Sequence, residues 1–259
     1  MELDDPPARV EPILMLILLC AAELCTCCDH DMATINCIWM AFYFLLRPGE
    51  YAYASGDAKH PFRLCDVQYK IGNMHFFYAH LTTLQQCLAS TFVSLTFSTP
   101  KNGVKGEKLA HTPTGHPISC PVRATHRLVA HLILHNSPPS TPLHHVYYDD
   151  AGRKRAVSSS MITSLLRTPA ALTIPGHAGV DVNNIAARSL RSSGAILLLL
   201  LGGMDTDRIR ILGRWNSDAM FRYLHAHALP LISGNARLMF QAGHCELVTA
   251  RHSTPIDWY

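Results

Sequence analysis

No apolar run in this sequence reaches the length of a membrane span. Ile13–Ala22 and Ala195–Leu201 fall far short of the about 20 apolar residues that a spanning helix needs, and Arg191 and Asp205 lie close to the second. Both predict buried helices. Charge is also scarce, at 16% charged against 48% hydrophobic residues, which excludes a disordered chain and gives enough apolar matter for a real core. A basic, apolar leader is missing: the first residues are acidic and Pro-rich, so no secretory signal is expected. The nine cysteines lack the even spacing of a disulfide framework. They predict reduced thiols in an intracellular compartment, the nucleus if the source is eukaryotic. Cys25, Cys27, Cys28 and His30 could be imagined around zinc. A tetrahedral site draws its ligand pairs from separated segments, however, so the cysteines read as small apolar residues near a helix end and no metal is expected. The net charge of +3 permits a polyanionic partner without demanding one.

What is present reads as helix, then a small antiparallel sheet, then several helices, an α+β plan. Residues 1–10 are expected to be a disordered start, and residues 11–28 are apolar and helical in character. Ile35–Leu46 predicts a buried helix closed by Pro48-Gly49. Leu64–Tyr69 and Met74–Tyr78 predict a hairpin across Gly72, Ser90–Ser98 alternates as a strand, and Pro100–Lys108 is a Lys- and Gly-rich turn. Ile118–Val122 is taken as the returning strand and Val122–His135 as a helix. Loops are expected over 136–145 and 167–184, with a serine-capped helix at Ser158–Leu166 between them. Asn184 is expected to cap a helix that carries Arg188 and Arg191 on one face and ends at Gly202-Gly203. Asp205 starts a short helix, Arg208–Leu212, ended by Gly213. A last helix from Ser217 or Asp218 holds Tyr223, and a tail over 233–259 has a short helix expected at Gly234–Gln241.

The chemistry-bearing text is Arg188-Ser189-Leu190-Arg191, then Leu212-Gly213-Arg214-Trp215, then Tyr223 nine residues after Arg214. It resembles the tyrosine recombinase (phage-integrase-like) family, and within it the eukaryotic retroelement- or transposon-type branch. The resemblance implies a mostly helical DNA breaking-rejoining catalytic domain over residues 11–232 with a small antiparallel β-sheet. It also implies an upstream arginine followed three residues later by a carboxylate, which Arg47 and Glu50 fit. A lysine on a turn between strands is implied too; Lys101 fits, with Lys105 as the alternative.

The implied reaction is DNA strand cleavage and rejoining, as in site-specific recombination or integration of a mobile element, through a 3′-phosphotyrosine. Two arginines, Arg47 and Arg191, would clamp the non-bridging oxygens with forked donors. Tyr223 would be the nucleophile and Lys101 the general acid for the leaving 5′ oxygen. Arg188 and Arg214 would donate to the phosphate. Religation would need no metal and no small-molecule cofactor. The partners implied are double-stranded DNA and further copies of the chain assembled on it, with no membrane. Two departures qualify this. Arg188 and Arg214 stand where the family usually has histidines, and arginine, with a pKa above about 12, cannot act as a base.

Bland roles exist for each residue. Tyr223 lies among Met220, Phe221 and Leu224 and could be a boundary residue. Arg47 could complement a helix C-terminus, Glu50 could be a structural partner, and Arg188 and Arg191 could pair with Asp205 or Asp218 in solvent. Trp215 could offer an indole donor. The family's N-terminal helical DNA-clamp domain is expected either to be absent or to sit on a longer parent. With half a clamp, this chain is expected to bind DNA weakly and in a salt-sensitive way. An active strand-transfer enzyme, a DNA-binding remnant of one, and a helical interaction module without DNA binding all stay open from sequence alone.

Overall fold

The computed structural model describes residues 13–25, 28–53, 61–77, 89–98, 106–147, 153–173, 181–200 and 202–215. Among them are seven α-helices and a small antiparallel sheet, a mixed α+β architecture. The helices are α1 (Met15–Leu24), α2 (Asp29–Tyr43), α3 (Pro48–Tyr51), α4 (Pro121–Leu134), α5 (Ser159–Thr173), α6 (Ser189–Leu200) and α7 (Thr206–Gly213). None is long and apolar enough to cross a membrane.

Helix α2 is the hub. Cys37, Ile38, Trp39, Met40 and Ala41 are fully buried, because α4, α5, α6 and α3 all pack around it. It begins earlier than its apolar run suggests, because Cys28 caps it and Asp29 and Asp31 face its positive end. Two of the three clustered cysteines are thus helix-end residues: Cys25 closes α1, and Cys28 opens α2. Leu45, and not Pro48-Gly49, ends α2. Its φ is +49°, in the left-handed region that usually takes glycine, and Leu46 N–H closes the turn on Ala41 O at 3.0 Å. A left-handed leucine costs roughly 1–2 kcal/mol. Burial of its side chain against Ala195, Ile196 and Ile209 offsets that cost.

The sheet consists of β1 (Val67–Ile71), β2 (Met74–Phe77), β3 (Phe92–Thr96) and β4 (Lys108–His111), in the order β2-β1-β3-β4. Gly72 supplies the positive φ of the two-residue β1–β2 turn, as the hairpin reading requires. Val67, Tyr69, Val93, Leu95 and Leu109 form the buried face, which β3 brings against α4. A second hairpin pairs β5 (His145–Tyr147) with β6 (Lys154–Ala156).

Several expectations need correction. The returning strand is β4. Residues 118–122 instead make bends and then the start of α4, with Pro121 at its first turn, where a missing N–H costs nothing. Leu64–Asp66 is a 3-10 turn, so β1 begins only at Val67. Residues 167–173 belong to α5, which runs past Pro169; the proposed loop is shorter, and Arg167 ties the helix to the carbonyls of Ile185 (2.9 Å) and Asn183. Asn184 caps nothing: it sits in a 3-10 turn capped by Asp181, and α6 starts only at Ser189. The hairpin β5–β6 was not foreseen at all. The expected start, the Pro100–Lys105 portion of the turn, the tail and the Tyr223 helix lie outside the described residues.

Helix α6 crosses α2 at Gly194. A Cβ there would fall 2.5 Å from Leu45 Cδ2 and 2.6 Å from Phe42 O. Gly194→Ala should therefore lower the urea unfolding free energy by about 1–3 kcal/mol, although the same change in an open helix would stabilise it. The buried histidines set a pH limit as well. Burial pushes His111 and His144 down to about 4, and lowers His30, His126, His131 and His145. The unfolded chain then binds more protons than the folded one between about pH 6.5 and 4. Stability is full above that window and falls as pH drops through it. For His111 and His144 the loss is on the order of 3 kcal/mol each. Urea midpoints measured from pH 7 to pH 4.5 should decline steadily.

Candidate functional site

The end of α2 and the start of α3 place the first cation. Leu45 turns the chain, Pro48 fixes the first residue of α3, and Arg47 stands at its N-cap. Glu50 folds back on that cap: its Oε2 accepts the Arg47 backbone N–H at 2.8 Å, and its Oε1 accepts Arg47 Nη1 at 3.4 Å. Arg47 thus serves the start of α3 and not the end of α2. Its side chain keeps 26% exposure, so solvent reaches this side of the cluster.

The start of α6 places the second. Tyr51 donates its hydroxyl to Ala187 O at 2.9 Å, tying α3 to the turn before α6, and Ala187 N–H reaches Thr163 Oγ1 at 3.1 Å. Ser193 holds the other side, donating to Ser189 O and accepting Ile13 N–H, both at 2.6 Å. Arg191 sits one turn in and is buried. Arg188 does not share its environment. It precedes the first helical residue and is exposed, so the expected common face for Arg188 and Arg191 is not formed.

The end of α7 places the third. Asp205 caps this helix, as foreseen, and pairs with Arg208 at 3.1 Å, not with Arg188 or Arg191. The left-handed residue that ends it is Arg214 (φ +54°), not Gly213. Gly213 is required for another reason: a Cβ there would overlap the Trp215 indole.

These three elements meet. Arg214 Nη2 donates to Glu50 Oε2 at 2.9 Å, Arg47 Nη2 donates to Arg214 O at 3.1 Å, and Arg191 Nη2 donates to Gly213 O. The guanidinium of Arg191 lies over the Trp215 ring (4.2 Å to its centroid), and that of Arg214 over Phe97 (3.9 Å). Arg47 and Arg214 share the Glu50 carboxylate and Arg191 holds the adjoining Gly213 carbonyl, so three guanidiniums gather at one turn. Burial lowers the Arg214 pKa, Glu50 opposes that, and Arg47 adds to it. Arginine nonetheless stays charged at any working pH. The buried Arg214 Nε has no hydrogen-bond partner among the described residues. Such an arrangement suits an oxyanion with several oxygens, which forked donors can bind together.

Of the residues singled out from sequence, Arg47, Arg191 and Arg214 come together; Arg188 stands apart on the surface, and Tyr223, Lys101 and Lys105 lie outside the described residues. Glu50 is a structural partner, as expected. Trp215 contributes its π face to Arg191, where a donor role had been anticipated. Phe97 was missed, since one aromatic at a strand end carries no sequence signal. Among the described residues no group of His, Cys, Asp or Glu is placed to hold a metal ion. No protein-family model matches the chain, and no curated protein does either.

Glu50→Gln keeps the shape but removes the only carboxylate hydrogen-bonded to these arginines among the described residues. It should lower stability by about 3 kcal/mol. Inorganic phosphate should raise the Tm of this variant more than that of the parent protein, measured by thermal unfolding.

Proposed function

We infer that this chain is the catalytic part of a DNA strand-transfer enzyme of the tyrosine recombinase type, acting on double-stranded DNA. The observation that carries this reading is the gathering of Arg47, Arg191 and Arg214, distant in sequence, at one turn, with the Glu50 carboxylate bound to two of them. That turn ends eight residues before Tyr223. In the proposed reaction the Tyr223 oxygen attacks the phosphorus, the bond to the 5′ oxygen breaks, and a 3′-phosphotyrosine forms. Arg47 and Arg191 stabilise the charge that builds on the non-bridging oxygens, with Arg214 and Arg188 as further donors. Lys101 protonates the leaving 5′ oxygen. The phenolic proton passes to water, because neither arginine at the usual histidine positions can accept it. The reverse attack by a 5′ hydroxyl releases Tyr223 and joins the strands. Bond energy stays in the phosphotyrosine, so the chemistry requires no nucleotide cofactor. Further copies of the chain on the same DNA would supply the second strand exchange, in the nucleus if the source is eukaryotic.

A second reading is a DNA-binding remnant that no longer cleaves. Two observations favour it: Arg214 is committed to Glu50 and Phe97, and Arg188 faces solvent. A pool of randomised, suicide-nicked duplexes separates the readings. The active enzyme gives a covalent adduct resolved on a denaturing gel, and Tyr223→Phe reduces it at least about a hundred-fold with salt-dependent binding unchanged. An undiminished adduct in that variant would remove Tyr223 from the reaction. Binding without adduct from the parent protein would establish the remnant, and no binding even at low salt would reject both readings.

A further inference from the structure

We propose that Phe97 and Trp215 are positioning residues for the arginine cluster, each pinning one face of a guanidinium so that its N–H edges are presented to a phosphoryl group. The proposal rests on the anion-binding reading of the cluster given above. An arginine on a flexible stem samples many orientations, and holding it in one geometry costs side-chain entropy. An aromatic ring against its face restricts that motion and excludes water from one side, while the in-plane donors remain available.

The geometry meets these requirements at both positions. Arg191 Cζ lies 4.2 Å from the Trp215 ring centroid, and Arg214 Cζ lies 3.9 Å from that of Phe97. Both separations are within the about 6 Å over which a cation and a ring face attract. The edges are anchored separately: Arg191 Nη2 on Gly213 O, and Arg214 Nη2 on Glu50 Oε2 at 2.9 Å. Face and edge together fix the plane of each guanidinium. Arg214 Nε is buried, in a residue only 9% exposed, with no hydrogen-bond partner among the described residues. A buried donor of a charged group is costly to leave unsatisfied, so this atom marks where an acceptor oxygen belongs. The local sequence accommodates the stacking. The residue before Arg214 has to be glycine for the indole to lie flat there, since any Cβ at Gly213 would overlap the ring. The aromatic partners come from different elements, Phe97 just after β3 and Trp215 from the end of α7. Neither aromatic touches the reacting atoms in this proposal; both act through the arginines.

The test uses the full chain with inorganic phosphate as the probe. Trp215 emission is isolated as the difference between the parent protein and Trp215→Phe, since the sequence holds three tryptophans. Phosphate should change that difference signal. Trp215→Leu and Phe97→Leu, which remove the π face, should weaken phosphate binding roughly ten-fold. Trp215→Phe and Phe97→Tyr, which keep it, should stay within about two-fold of the parent affinity. A merely space-filling role would lower the unfolding midpoint without this split between aromatic and aliphatic variants. The proposal fails if folded leucine variants bind phosphate as the parent does, if the aromatic variants lose as much as the leucine ones, or if phosphate leaves Trp215 emission unchanged. Should the leucine variants not fold, the emission change and the affinities of Trp215→Phe and Phe97→Tyr decide. Aromatic-dependent phosphate binding without any DNA adduct would end the strand-transfer reading and leave this one standing. Adduct formation at the parent rate by the leucine variants would do the opposite.

Discussion

The Glu50 carboxylate is the contact on which the rest of the site depends. It accepts from the Arg47 backbone, from the Arg47 side chain and from Arg214, so it links the start of α3 to the end of α7. Without a negative charge at that point, three guanidiniums would be brought together with nothing to offset their repulsion and desolvation. Bringing charges of one sign into a partly buried setting is unfavourable unless acceptors surround them. Among the described residues the acceptors are one carboxylate and three backbone carbonyls, those of Leu212, Gly213 and Arg214.

Position is delivered by packing that has no chemistry of its own. A leucine in the left-handed region turns the chain at the end of α2, and its side chain joins a small apolar cluster with Ala195, Ile196 and Ile209. Gly194 lets α6 approach α2 closely enough for that cluster to form. The same crossing brings Arg191, in α6, and Arg47, at the start of α3, to one turn. Gly213 performs a parallel service at the end of α7, where its missing side chain makes room for the Trp215 ring. Two glycines and one strained leucine therefore set the spacing of the cations, although none of them bears a charge.

The sequence carried a good share of this. Periodicity and capping residues placed α4, the hairpin β1–β2, strand β3 and the Asp205 cap correctly, because each signal is local. Three kinds of error share a cause. The run 118–122 read as a strand, but a bend and Pro121 begin a helix there. Residues 167–184 read as a loop, but α5 runs on through Pro169 to Thr173. The strands of β5–β6 are three residues each, too short to show a period. In each case the local signal was too weak or too short to settle the element.

By itself the sequence determined the α+β character and the buried helices, since hydrophobic pattern is a property of neighbouring residues; the family resemblance singled out four arginines, of which three meet. Only the tertiary structure decided which cations share an environment. It separated Arg188 from Arg191, three residues away, because helix α6 begins between them. It joined Arg47 to Arg214, 167 residues apart, through one carboxylate. It also supplied Phe97 and the π face of Trp215 as neighbours of the guanidiniums. The physical reason is that charge and ring contacts act over a few ångströms in space, and distance along the chain carries no record of them.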